Sequence, residues 1–217
     1  MKGLFVKDLK LMSGQKKFVF PVFLVACMLM ATNSAMFVGN YLMIFCSLLV
    51  ISTISYDEFD NGNAFLFTLP ISRKEYVREK YIFGLGVCMV VCFITTLVIV
   101  GYQSVVVEHY NRVEGIISSV SGIFVSGFLL SFMIPLQLKF GSEKGRLVLG
   151  GISGIIGVIC FVAVKITKKF DADIDELSNW LDAIHPGIVA AGFVGVVLVM
   201  IVISYLISVR VMEKKEF

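Results

Sequence analysis

Three observations predict an all-α integral membrane fold. The 217-residue chain is 58% hydrophobic and only 16% charged, whereas ordinary soluble domains carry about 25% charged residues. Its apolar residues gather in runs long enough to cross a bilayer, which takes about 20 residues per helix. The Lys and Arg between those runs are concentrated in alternate connections, as the positive-inside rule requires. Together these give one transmembrane domain over residues 1–217, with six spans near 18–34, 36–55, 81–107, 115–138, 147–165 and 187–208.

Residues 1–17 precede the first span. Leu4, Phe5, Leu9 and Met12 share one helical face, with Lys2, Lys7 and Lys10 elsewhere. This predicts a basic amphipathic helix lying on the inner leaflet. Pro21 stands near the start of the first span, where proline is tolerated. Only Thr32, Asn33 and Ser34 separate the first two apolar runs. Their combined length exceeds one crossing, which favours a tight hairpin over a single long helix.

A polar stretch over 56–80 follows. Pro70 closes what precedes it, and Ser72 with Glu75 has the spacing of a capping box, so a helix starts there and runs into the third span. The fourth span carries Gly115, Ser118, Ser119, Gly122 and Ser126 on one face. The fifth carries Gly150 and Gly154 at small-xxx-small spacing, which lets helices approach closely. In the outer segment 166–186, Leu177, Trp180, Leu181 and Ile184 recur at helical spacing. Asp173, Asp175 and Glu176 stand at its start, where a helix dipole favours acids. A short outer amphipathic helix is expected there, and Pro186 opens the last span.

With both termini cytoplasmic, 15 of the 19 Lys and Arg fall inside. The outside keeps Arg112, Lys165, Lys168 and Lys169. The segment 56–80 is thereby placed in the cytoplasm. All 5 cysteines lie in apolar runs and read as small hydrophobes, not as ligands or a disulfide framework.

Several function classes are excluded. Gly141-Ser142-Glu143-Lys144-Gly145 does not have the residue order of a nucleotide-binding P-loop, and neither H-E-x-x-H nor G-x-S-x-G occurs. No metal site, catalytic group or nucleic-acid surface is indicated. No Asp, Glu, Lys or Arg falls near the middle of a span, whereas ion-coupled carriers place ionisable groups at membrane depth. Three options remain: a transporter driven by another chain, a passive channel, or a non-transporting anchor, sensor or immunity subunit of a complex.

The run Tyr56-Asp57-Glu58, then Leu69-Pro70-Ile71-Ser72-Arg73-Lys74-Glu75-Tyr76-Val77, then Lys80-Tyr81 resembles the loop between spans two and three of small ABC-2 type transporter permeases. The six spans, the basic amphipathic N-terminus and the outer helix are similar too. Within the family the chain most resembles small bacterial permeases of peptide exporters, the phenol-soluble modulin exporter among them. The resemblance implies a multi-pass permease in a bacterial plasma membrane. It would pair as a homodimer, or with a close relative, over two copies of a cytoplasmic ABC ATPase. ATP and Mg would be bound by that partner, leaving no cofactor in this chain.

The resemblance further implies a coupling helix in this loop. Carried onto this sequence, the ATPase-docking residues are Asp57, Glu58, Phe59, Asp60, Phe65, Phe67, Leu69, Pro70, Ser72, Arg73 and Glu75. The three carboxylates would meet a basic surface, and the phenylalanines would supply apolar anchors. The available lining is apolar with small hydroxyl residues, which points to amphipathic or hydrophobic cargo: a peptide, an antimicrobial or a lipid-like molecule.

Overall fold

A computed structural model describes residues 2–31, 35–59, 62–106, 116, 120–141 and 186–215. Seven helices are found among them: α1 (Lys2–Gly14), α2 (Lys16–Ala31), α3 (Ala35–Glu58), α4 (Gly62–Leu66), α5 (Arg73–Val106), α6 (Val120–Gly141) and α7 (Pro186–Lys214). No strand occurs among the described residues. Four of these helices (α3, α5, α6 and α7) are long and apolar enough to cross a membrane. α1 and α2, bent by 65° at their junction, pass the same test as a pair. The expected span at 147–165 and all of the expected outer segment 166–186 except Pro186 lie outside the described residues.

α2 and α3 are separate helices that pack against each other, as the length argument requires. The central pair is α3 with α5. On α3 the buried positions Met43, Ser47, Val50, Ile54 and Asp57 recur every three or four residues, which draws one inward stripe along the helix. Tyr76, Val77, Phe83, Cys88 and Cys92 answer it from α5, and Leu130, Ile134 and Leu138 from α6. Gly84 stands where these three helices converge. A Cβ at that position would lie 3.1 Å from Val50 Cγ1 and 3.2 Å from Leu130 Cδ1, so the absent side chain sets the spacing.

α7 is joined to the bundle by hydroxyl groups. The Tyr81 hydroxyl lies 2.5 Å from Ser204 Oγ and 2.9 Å from Ser208 Oγ, and the Tyr81 ring meets Tyr205 edge-on at 5.7 Å. Ser204 in turn donates to the Ser131 carbonyl on α6. At the far end of α6, Gly141 takes a φ of +75°, the left-handed conformation that commonly closes a helix.

Two expectations need correction. α1 does not present the whole stripe Leu4, Phe5, Leu9 and Met12 to one surface. Leu4 and Asp8 are buried against α3 and α5, Phe5 packs edge-on against Phe83 at 6.2 Å, and Leu9 is 55% exposed. The inward face of α1 is therefore partly ionic, because Asp8 finds its counter-charge in the bundle. Nor are all the cysteines interior. Cys46, Cys88 and Cys92 are buried, but Cys27 is exposed on α2, and Cys160 lies outside the described residues.

Candidate functional site

The polar stretch between α3 and α5 is anchored by a buried ionic network. Two i, i+4 pairs build it, since residues at that spacing share a helix face. Thr53 and Asp57 come from the last turns of α3, and Tyr76 and Lys80 from the first turns of α5. α1 closes the group with Lys7 and Asp8. Lys80 and Asp8 are fully buried, and the Asp57 side chain is 4% exposed.

Lys80 Nζ holds Asp8 Oδ2 at 2.5 Å, Asp57 Oδ2 at 2.8 Å and Thr53 Oγ1 at 3.1 Å. The three donors of the ammonium are thus all engaged. Thr53 passes its own hydrogen to the Val50 carbonyl at 2.8 Å. The Tyr76 hydroxyl donates to Asp57 Oδ2 at 3.0 Å, and its ring lies beneath the Lys80 ammonium, 5.2 Å from the centroid. Lys7 binds Asp57 Oδ1 and stands 3.2 Å from Asp8 Oδ1.

Two lysines and two aspartates therefore make a neutral quartet. Within the quartet each charge has a partner, which burial demands because removing one costs about 3–5 kcal/mol. Glu79 is also fully buried beside the quartet, and neither of its oxygens finds a hydrogen bond among the described residues.

A second tie lies at the same end of the bundle. Lys215 binds Glu58 Oε1 at 2.7 Å and the Leu138 carbonyl at 3.1 Å, joining the ends of α3, α6 and α7. Arg73 donates to the carbonyls of Met212 at 3.1 Å and Glu213 at 2.7 Å, so it caps the C-terminal end of α7. Lys74 adds an exposed pair with Glu213 at 3.2 Å.

Between these anchors the chain forms α4 and a short turn. Phe59 is 73% exposed and Phe65 71%, while Leu66 and Asn63 turn inward. The family model described as "ABC-2 family transporter protein" matches residues 3–213, this stretch included. The chain belongs to the ABC-2 transporter family. No curated protein and no solved structure matches it.

In this ABC-2 protein the residues expected to dock an ATPase fall into separate groups. Phe59, Phe65, Leu69 and Pro70 are exposed. Phe67 is half-buried, with its ring edge-on to Tyr76 at 5.8 Å. Ser72 and Glu75 form the capping box as the spacing predicts. The Glu75 amide donates to Ser72 Oγ at 3.2 Å, and the Ser72 amide donates to Glu75 Oε2 at 3.1 Å. Ser72→Ala should lower stability by about 1 kcal/mol, the usual cost of an N-cap. Thermal melting of the purified protein measures it.

Three residues depart from expectation. Asp57 does not face outward: it is the buried centre of the quartet. Glu58 and Arg73 are committed to Lys215 and to the end of α7. The reason is helix length. α3 runs on to Glu58 and α5 already begins at Arg73, so the charges flanking the loop lie on helical faces inside the bundle. Asp60 lies outside the described residues.

Sequence reasoning missed Lys7, Asp8, Thr53, Tyr76 and Lys80. The signal was the pairing of polar residues at i, i+4 on otherwise apolar faces: Thr53 with Asp57, and Tyr76 with Lys80. The charge on α1 that completes the quartet is a tertiary fact. No local pattern joins residue 8 to residue 80.

Proposed function

We propose that this ABC-2 protein is the permease subunit of an exporter, energised by a separate cytoplasmic ATPase that docks on the loop spanning Phe59–Pro70. One observation carries the reading: exposed aromatic anchors stand on a base held rigid from both sides. The last turn of α3 and the first turns of α5 are joined through Asp57, Tyr76 and Lys80, and α1 is joined to both. A push on Phe59 or Phe65 therefore reaches three helices together and is not absorbed by a flexible connection.

The withdrawal of Asp57 and Glu58 into ion pairs revises the chemistry of the contact. The partner groove would receive aromatic and aliphatic side chains, where interface energy concentrates, and would not rely on a basic patch. ATP and Mg belong to the partner. Two such permeases, homodimeric or as a close pair, would enclose a path for amphipathic or hydrophobic cargo such as a peptide. Both termini and the loop lie in the cytoplasm in this arrangement, in a bacterial plasma membrane.

Affinity purification from native membranes, with the bound proteins identified, tests the reading. A P-loop ATPase should co-purify, and its hydrolysis should rise with amphipathic peptides and ignore sugars. Recovery of the chain with no P-loop protein, together with solute flux through the purified chain alone, would give the protein to the passive-channel class. Recovery with a histidine kinase would give it to the sensor class.

A further inference from the structure

We infer that the groove between α6 and α7 binds one anionic phospholipid from the leaflet at its Lys139 end. The groove encloses about 370 Å³, within the range of small-molecule sites. Phe132, Pro135 and Leu136 of α6 and Met200, Ile203 and Ile207 of α7 form its walls. The spacing from Ser131 to Lys139 gives it a length of about 12 Å at the helical rise of about 1.5 Å per residue. Both helices are long and apolar enough to span a membrane, which would set the opening against hydrocarbon.

Polarity is confined to the two ends of the groove and differs in kind between them. At the deep end, Ser131 donates to the Phe128 carbonyl, and Ser204 is held by Tyr81 and the Ser131 carbonyl. Those hydroxyls are satisfied and ask nothing of a ligand. At the other end, Lys139 is exposed, with its ammonium 5.1 Å from the Phe140 ring centroid. No carboxylate pairs with it among the described residues, so its charge is open to an anion. Such a site takes an acyl chain along its walls and an anionic headgroup at its mouth.

A second copy of this chain fits the groove less well. None of the described carboxylates is both exposed and unengaged. Asp8 and Asp57 belong to the quartet, Glu58 and Glu213 to ion pairs, Glu75 to the helix cap, and Glu79 is buried. From its described residues, a neighbouring protomer would bring an apolar surface and leave Lys139 without an anion. The inference does not rest on the exporter reading, since lipid binding here needs no ATPase.

The test places the purified protein in nanodiscs holding phosphatidylglycerol and phosphatidylcholine of identical acyl chains. Retained lipid is then counted by native mass spectrometry. The wild type should favour phosphatidylglycerol by about fivefold, the preference that one interfacial lysine confers. Lys139→Gln should bring the ratio near one without changing the melting temperature. Ile203→Trp, filling the groove at a half-exposed position, should displace both lipids. An undiminished preference in Lys139→Gln would overturn the proposal. So would efficient self-cross-linking of Ile203→Cys in native membranes, which would assign the groove to a second copy.

Discussion

Replacing Lys80 with Met is expected to destabilise the protein by about 3–5 kcal/mol, the cost of removing one partner from a buried ion network. The lost ammonium holds two aspartates and a threonine at once. Without it, Asp8 and Asp57 remain buried as two like charges, with Lys7 as the only cation left beside them among the described residues. Lys7 is half-buried and cannot replace the three directed hydrogen bonds. Thermal melting in detergent would record the loss as a large fall in midpoint.

The decisive comparison is with the double variant. Asp8→Asn with Lys80→Met removes one charge of each sign and leaves Asp57 paired with Lys7 and hydrogen-bonded to Tyr76. It should recover much of the stability lost by Lys80→Met alone. Contacting charges of this kind show coupling of about 0.5–3 kcal/mol. Strictly additive effects would mean that the quartet does not act as a unit, and that α1 is attached by its apolar contacts alone. In that case the rigid base beneath the loop also loses its support.

The quartet shows where sequence reading stops. Four of the six expected spans are matched by helices long and apolar enough to cross a membrane, because a run of about twenty apolar residues has few other stable uses. The cap at Ser72 and Glu75 is legible because both partners lie within four residues. Asp57 misleads for a physical reason. Its neighbours in sequence, Glu58 and Asp60, make an acidic cluster that looks solvated, while its partners lie 19 to 50 residues away on other helices. Burial of a charge depends on a counter-charge, and that counter-charge is set by packing. The exposed aromatics were easier. Phe59 and Phe65 sit in a charged stretch between two long apolar helices, and both are exposed, as that setting suggests.

Phe65 and Phe67 stand two residues apart, and their alanine variants are expected to fail in different ways. Phe65 is 71% exposed and makes no ring contact among the described residues. Its loss should leave the melting temperature unchanged and weaken the ATPase complex by about 2 kcal/mol or more, the scale of an aromatic hot spot. That is roughly a thirtyfold loss of affinity. Phe67 lies edge-on to Tyr76, the residue that holds Asp57. Its truncation should lower stability by about 2–3 kcal/mol, below the 3–5 kcal/mol of a fully buried phenylalanine. Docking would then suffer only as far as the fold loosens. Melting curves and sizing-column retention of the complex, taken together on both variants, separate the two effects. A Phe65→Ala permease that keeps its ATPase through the column would remove α4 from the docking surface. A Phe67→Ala protein as stable as the wild type would show that the loop is not braced on Tyr76, and that the path from the loop into α5 runs through the Ser72 cap instead.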